Sequence, residues 1–81
     1  MKASVEISMY PFSPDYEPPI LDFINRLKQY EDVEVIVNSM STQLFGEYDT
    51  LMGILQKEVK ETFEKEGTTV MAMKLLHISN E

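Results

Sequence analysis

The stretch MSTQLFGEYDT, residues 40–50, passes from a turn through a strand into the start of a helix without an intervening loop. Residues 41–48 predict a strand, because alternation puts Leu44 and Gly46 on one face and the intervening residues on the other. Asp49 has a side chain that commonly caps a helix N-terminus. The residues that follow at helical spacing are Leu51, Met52, Leu55, Val59, Thr62 and Phe63. The stretch therefore predicts a strand joined directly to a helix.

The residues before this stretch predict a strand, a helix and another strand. Residues 3–10 alternate between apolar and polar side chains, which is typical of a half-buried strand. Pro18 and Pro19 suit a helix N-terminus, where the missing N–H groups cost little, and the helix is predicted over residues 18–30. Residues 33–38 alternate again and are rich in valine, which predicts the second strand.

The residues after the stretch predict one more strand. Gly67 stands where a helix C-terminal cap is expected, and residues 68–78 form the last predicted strand. The element order is then βαββαβ, and residues 1–81 are predicted to form one domain. Two helices packed on one face of a four-stranded antiparallel sheet, the ferredoxin-like arrangement of the α+β class, satisfy this order. In that topology the first and third strands are central neighbours.

The two faces of the predicted sheet differ in character. The face toward the helices carries Val5, Ile7 and Met9 with Leu44 and Gly46, and the glycine would let a helix or a ligand come close. The other face is mixed, and its residues are Ser4, Glu6, Ser8, Tyr10, Ile36, Gln43, Phe45 and Glu47.

The last strand is apolar on both faces. Val70, Ala72 and Leu76 lie on one side, and methionine and leucine side chains lie on the other. An apolar edge strand is an aggregation hazard unless something covers it. We therefore expect a second copy of the chain as the partner, in a homodimer or homotetramer held by sheet contacts.

Composition limits the classes of function. With no cysteine and one histidine, His77, the chain cannot form a disulfide framework or a thiolate or imidazole metal cluster. A formal charge of −7 repels nucleic acid and favours cationic ligands. No apolar run is long enough for a signal core or a membrane span, so we expect no membrane partner and a cytoplasmic location.

The inventory of side chains also argues against an enzyme. The sequence has no nucleophile paired with a base, no phosphate loop and no metal-ligand cluster, so we expect no catalytic residue, no metal and no cofactor. Glu6 and Glu47 could in principle act as an acid–base pair. Acylphosphatases share the predicted fold class but rely on an early arginine, whereas the one arginine of this chain, Arg26, lies inside the first predicted helix.

Three segments resemble the small thiamine-binding protein family, in particular its YkoF-like and MTH-type single-domain members. They are SVEISMYP at residues 4–11, the turn at residues 40–42, and FGEYD at residues 45–49. The most specific features are the strand that ends in Pro11 and the Thr-x-x-x-Gly-Glu run at residues 42–47. The resemblance implies a ferredoxin-like domain that forms dimers and tetramers and binds thiamine or its hydroxymethylpyrimidine part without catalysis.

Nine residues are candidates for such a ligand site. Glu47 and Thr42 are the first candidates, because a carboxylate can pair with a cationic thiazolium and a hydroxyl can hydrogen-bond an aminopyrimidine. Each candidate also has an ordinary structural explanation, such as a wet sheet face, a packing tyrosine or a turn residue. The other seven are small polar residues and tyrosines near the same strands and turn: Ser8, Glu6, Gln43, Tyr10, Tyr48, Asn38 and Ser39. Asn38 and Ser39 would belong to the ligand site only if the pocket of a neighbouring subunit reached their turn.

Two functions remain open from the sequence. The first is a small-molecule binding protein for thiamine-like heterocycles. The second is a structural or regulatory assembly domain without a dedicated ligand, in which the sheet face is only an interface. The two differ in their demands on Glu47, since a binding site for a cation needs its charge and an interface tolerates glutamine.

Overall fold

The computed structural model describes residues 1–79 and shows, within them, two helices and four strands in the predicted order. The elements are β1 (Lys2–Pro11), α1 (Glu17–Leu27), β2 (Glu34–Val37), β3 (Thr42–Glu47), α2 (Tyr48–Glu66) and β4 (Thr69–Leu76). Neither helix in this part of the chain is both long and apolar enough to cross a membrane.

The strands form one antiparallel sheet in the order β2-β3-β1-β4, which confirms the ferredoxin-like prediction and its two central strands. Val5 lies opposite Leu44 and Ile7 opposite Thr42, while Glu6 pairs with Gln43 on the other face. This register fixes which side chains can meet, because a shift of one residue would exchange the two faces.

The hydrophobic core lies between one face of the sheet and the two helices. Ala3, Val5, Ile7 and Leu44 supply the strand side, and all are at most 5% exposed. The helices add Phe23, Leu27, Leu51, Ile54 and Leu55. Full burial of one such large side chain stabilises a fold by about 1.5–3 kcal/mol. The opposite face of the sheet is open, and it carries the mixed set of residues that the alternation predicts.

The structure corrects three local predictions. Asp49 lies in the first turn of α2, whose N-cap residue is Glu47, so Asp49 does not cap the helix. The first helix ends at Leu27 instead of residue 30. In α2 the buried stripe includes Ile54 and Glu58, while Met52 and Phe63 are exposed. The C-terminal cap is as predicted, with Gly67 at φ 74° and its N–H donating to the Phe63 carbonyl at 3.1 Å.

The space beside Gly46 is taken by the chain itself. A Cβ atom at Gly46 would lie 3.0 Å from Cγ1 of Val33 and 3.4 Å from the carbonyl oxygen of Asp32. The prediction that this glycine admits a helix or a ligand is therefore wrong. Because Gly46 has no side chain, the segment that leads into β2 can pack directly against it.

A polar network joins the two helices. Arg26 of α1 donates through Nη1 to the Glu58 carboxylate at 2.6 Å and to the Glu58 carbonyl at 3.1 Å, and through Nη2 to Thr62. Its Nε donates to Asp22 at 3.1 Å, and the Tyr30 hydroxyl donates to the second oxygen of Glu58. Glu58 is only 6% exposed, so these donors replace the water that its carboxylate loses on folding.

Each acidic or phenolic group of this network has a shifted pKa. Burial by itself would raise the pKa of Glu58, but hydrogen bonds from Tyr30 and Arg26 outweigh it and hold that pKa below the ordinary 4.5. The same hydrogen bond to Glu58 raises the pKa of Tyr30 above 10.0. A hydrogen bond from Lys65 is the main cause that lowers the pKa of Asp22 below 3.8.

Candidate ligand site

A cavity lies between α1 and the turn that joins β2 to β3. Its volume is about 180 Å³. The apolar lining comes from β1 and α1 and comprises Ile7, Met9, Ile20, Phe23 and Ile24. The polar lining comes from β1, the turn and the start of β3 and comprises Ser8, Asn38, Ser39, Ser41 and Thr42. Met40 also borders it. The cavity is therefore apolar against the helix and polar against the hairpin.

Hydrogen bonds hold the hairpin turn against β1. The Asn38 N–H donates to the Ser41 carbonyl at 2.8 Å, which closes the turn. The Ser8 hydroxyl donates to the Met40 carbonyl at 3.3 Å, and the Ser41 hydroxyl donates to a carboxylate oxygen of Glu6 at 3.2 Å. These contacts join two strands that are distant in sequence, so they position the polar wall of the cavity before any ligand binds.

Thr42 is the buried polar group of this wall. It pairs with Ile7 across the ladder, which puts its side chain on the helix side of the sheet, and it is 6% exposed. Within residues 1–79 the Thr42 hydroxyl makes no hydrogen bond, yet no fully buried side-chain oxygen or nitrogen there lacks a partner. Its oxygen is therefore not fully enclosed, and Thr42 borders the cavity.

The apolar wall is held from behind by the helix network. Phe23 borders the cavity, and the Arg26 guanidinium lies 5.8 Å from the centre of its ring. Because Arg26 is also bonded to α2, the position of α1 beside the cavity depends on contacts across the helix pair. Both walls are thus fixed by side chains that do not themselves need to touch a ligand.

The cavity suits one small uncharged ring. None of the described residues that line it carries an ionisable side chain. Its volume of about 180 Å³ compares with the roughly 150 Å³ of an engineered apolar cavity that accepts benzene. The space is therefore of the size of one substituted six-membered ring, and Thr42 is the polar residue of the lining that faces the helix side of the sheet. A second ring would lie outside.

Four of the nine sequence-predicted site residues meet at this cavity: Ser8, Asn38, Ser39 and Thr42. The four residues border the same cavity of one subunit, so no neighbouring copy is needed to bring Asn38 and Ser39 to the site. Glu6 and Gln43 lie on the open face directly behind the polar wall. The Gln43 amide oxygen accepts a hydrogen bond from Asn38 at 3.1 Å, so it contacts the site from outside.

Glu47 lies at the other end of β3 from Thr42. The two are five positions apart, which is about 17 Å along a strand, and alternation puts them on opposite faces. The Glu47 carboxylate pairs with the Met1 ammonium at 3.1 Å and with Lys2 at 3.3 Å, and the first of these contacts is the main cause that lowers its pKa. The prediction that Thr42 and Glu47 form one wall is therefore wrong.

The two tyrosines are also outside the cavity. Tyr48 begins α2, and its N–H donates to the Met1 carbonyl at 2.9 Å, beside Glu47. Tyr10 lies near the end of β1 on the open face, opposite Val70, and is 55% exposed. Sequence proximity suggested both, but strand alternation puts Tyr10 on the open face and Tyr48 belongs to α2.

The sequence did not single out the helix residues of the site or Ser41. Ile20, Phe23 and Ile24 were predicted as the apolar stripe of the first helix; Phe23 and Ile24 are buried, Ile20 is half-buried, and all three border the cavity. The helical spacing of these three residues does not indicate that the core leaves a cavity beside α1. Ser41 stands next to the predicted Thr42, and its position in the turn was the one signal that could have included it.

Comparison with protein-family models gives no match, and comparison with curated proteins gives none either. Among solved structures, protein SP2199 from Streptococcus pneumoniae is 26% identical, with a TM-score of 0.88 over 99% of this chain and 90% of that one. A Thermotoga maritima protein provisionally assigned to thiamine biosynthesis or salvage is 16% identical, with a TM-score of 0.87 over 96% and 85%.

A further neighbour is a domain of unknown function (DUF77) from Bacillus cereus. It is 17% identical, with a TM-score of 0.74 over 99% of this chain and 79% of that one. These proteins share the fold of this chain across nearly its whole length.

Proposed function

We propose that this protein belongs with the thiamine-binding proteins it resembles and binds one small neutral heterocycle, an aminopyrimidine of the hydroxymethylpyrimidine type, without chemical turnover. The observation that carries the proposal is the cavity beside the hairpin, with the largely buried Thr42 on one wall and apolar side chains on the other. The Thermotoga maritima neighbour, named for thiamine biosynthesis or salvage, supports the choice of ligand class.

The chemistry of the walls supports an aminopyrimidine in particular. Such a ring offers amino donors and ring-nitrogen acceptors, and hydroxyl and amide side chains match both. The flat faces of the ring would lie against Phe23 and Ile24. A free thiazolium would instead leave a positive charge against a lining without a carboxylate, which is costly in a desolvated site.

The side chains at the cavity also support binding without chemical turnover. The serine and threonine hydroxyls at the cavity have no histidine beside them, since His77 contacts the Lys2 carbonyl at 2.7 Å, at the other end of β1. Within residues 1–79 no three histidine, aspartate or glutamate side chains are placed to hold a metal ion. We therefore propose recognition without proton or acyl transfer at this site.

The test is calorimetric titration of hydroxymethylpyrimidine and of thiamine into the wild type and three variants. Thr42→Val keeps the shape of the side chain and removes its hydroxyl, so we expect binding to weaken about tenfold, because the ligand group is left without a partner. Glu47→Gln and the exposed-face control Glu64→Gln should bind like the wild type.

The outcomes separate the proposal from its alternatives. Absence of heat with every aminopyrimidine would remove the ligand function and favour the assembly domain. Binding of thiamine alone, lost in Glu47→Gln, would restore the cationic site predicted from the sequence. The free pyrimidine should bind about as well as thiamine, because only one ring enters the cavity.

The assembly function is favoured by a separate observation. β4 exposes Val70, Met73, Leu75 and Leu76, and each is roughly half exposed. The exposed edge of β4 and the hairpin turn lie on opposite sides of β1, so a ligand site and an assembly surface are compatible with each other.

A further inference from the structure

Met40 is the most exposed large apolar side chain within residues 1–79, at 87%. A single exposed methionine needs no explanation by itself. This one, however, borders the cavity, and it is the one apolar residue of the turn at residues 38–41. The turn therefore carries a long apolar side chain beside a space of ligand size and leaves that side chain in water.

The main chain at Met40 is held in place by hydrogen bonds. The hydroxyl of Ser8, which also borders the cavity, donates to the Met40 carbonyl at 3.3 Å. The Asn38 N–H donates to the Ser41 carbonyl at 2.8 Å, and Met40 lies between these two residues. The Asn38 side chain also donates to Gln43 at 3.1 Å. The turn is thus anchored on β1 and β3, and the freedom at this position belongs to the methionine side chain.

A ring in the cavity would need cover on the side of the turn. Ligand sites typically enclose about 70–90% of the surface of their ligand. The apolar wall comes from β1 and α1, whereas the other three residues of the turn offer only hydroxyl and amide groups. Met40 can lie against the face of a ring, because an unbranched side chain with three rotatable bonds adapts to irregular surfaces.

We propose that the Met40 side chain closes over a ring bound in the cavity and supplies the apolar cover that the turn otherwise lacks. This inference rests on the proposed ligand function and adds the residue by which the site would favour an aromatic ring. The thioether sulfur makes a favourable contact with an aromatic ring, which a saturated ring of the same size does not offer. Because the turn is already anchored, closure orders one side chain and no further backbone.

Methyl nuclear magnetic resonance tests the closure and the ligand function in one spectrum. In protein labelled with ¹³C at the methionine methyls, hydroxymethylpyrimidine should shift the signals of Met9 and Met40, because both residues border the cavity. We expect cross-relaxation between the Met40 methyl and the ring proton of the ligand. The signals of Met52 and Met73, which do not border the cavity, should stay in place.

The two methionines at the cavity separate the two claims. A shift of the Met9 signal without contact between Met40 and the ligand would overturn the closure and leave the proposed function intact. No shift of either signal at millimolar ligand would refute the proposed function, and the closure with it.

Calorimetric titration measures what the closure contributes to affinity. Met40→Ala should weaken the binding of hydroxymethylpyrimidine about tenfold, because about two methylene-sized groups lose their contact with the ring. Met40→Leu keeps most of the apolar volume and should bind nearly as well as the wild type. Met73→Ala, a half-exposed methionine on β4, is the matched control and should not change the affinity. Wild-type affinity in Met40→Ala would overturn the proposal.

Denaturation shows whether a loss of affinity comes from the contact or from the fold. The urea midpoint of Met40→Ala should equal that of the wild type, because the side chain is exposed in the free protein. A lowered midpoint that accounts for the weaker binding would mean that Met40 acts on the fold and would contradict the closure.

Oxidation tests the same contact without a substitution. Hydrogen peroxide transfers one oxygen atom to a methionine sulfur and leaves as water, and the sulfoxide that forms is polar. Met40 should be oxidised first because it is the most exposed methionine, and mass spectrometry of its peptide follows the reaction. Ligand binding should then weaken about tenfold or more in the wild type, whereas treated Met40→Leu should bind as before. Unchanged affinity after complete conversion of Met40 to the sulfoxide would contradict the closure.

Discussion

At the scale of single residues, Gly46 and Gly53 are the same residue type in very different surroundings. At Gly46 a Cβ would crowd Val33 at 3.0 Å, whereas at Gly53, within α2, nothing lies within 4 Å of the added atom. Neither glycine has a positive φ, so only the space around each one decides the effect of a side chain.

The two alanine substitutions should therefore have opposite effects on stability. Gly46→Ala should lower the free energy of unfolding by about 1–2 kcal/mol, because Val33 is branched and half-buried and must move. Gly53→Ala should raise it by up to about 1 kcal/mol, because alanine loses less backbone entropy in a helix. Urea denaturation measures both, and Val33→Ala should recover part of the loss in Gly46→Ala. Equal stability of Gly46→Ala and the wild type would mean that the close packing at this position is unimportant.

At the scale of elements, the Arg26–Glu58 network is the main feature that periodicity did not predict. Glu58 was not part of the predicted apolar stripe of α2, and Arg26 was predicted only to lie inside the first helix, but both turn toward the other helix. The helix–helix contact thus combines an apolar stripe with a satisfied ion pair. Removing one member leaves the other buried and charged, which is the costly outcome for such pairs.

Acid should weaken this helix contact. The pKa of Glu58 is below 4.5 in the folded protein, so its stabilising contribution is fully present above that pH and is lost as pH falls through the folded pKa. The free energy of unfolding should therefore decrease below about pH 4.5, and less steeply in Glu58→Gln than in the wild type. Denaturation series at several pH values measure this, with Glu64→Gln as the exposed control. The same acid slope in Glu58→Gln and the wild type would contradict the role of Glu58.

Removal of the arginine gives a complementary test of the same contact. Arg26→Ala should destabilise the protein by about 3 kcal/mol or more near neutral pH, because the Glu58 carboxylate then loses its ion-pair partner in a buried position. The double variant Arg26→Ala with Glu58→Gln should recover part of this stability. If Arg26→Ala alone is as stable as the wild type, water replaces the guanidinium with no loss of stability, which would contradict this prediction.

At the scale of the whole molecule, the sequence predicted the architecture better than the site. The alternation in the strands, the helical spacing and the C-terminal cap of α2 predicted the six elements because those signals are local, and the fold class that they indicate supplied the central strand pair. The cavity depends on how α1 and the hairpin meet, and the register that puts Thr42 opposite Ile7 is a long-range property. Sequence proximity instead grouped Thr42 with Glu47, although the pleat of the strand separates them.

The measurement that tests the central claim most directly is a nuclear magnetic resonance titration of the ¹⁵N-labelled protein with hydroxymethylpyrimidine. We predict amide shifts concentrated at Ser8, at residues 38–42 and at residues 20–24, the segments that border the cavity. Amides at Glu47 and along β4 should change little. No shift at millimolar ligand, or shifts confined to the Glu47 end of the sheet, would contradict binding in this cavity.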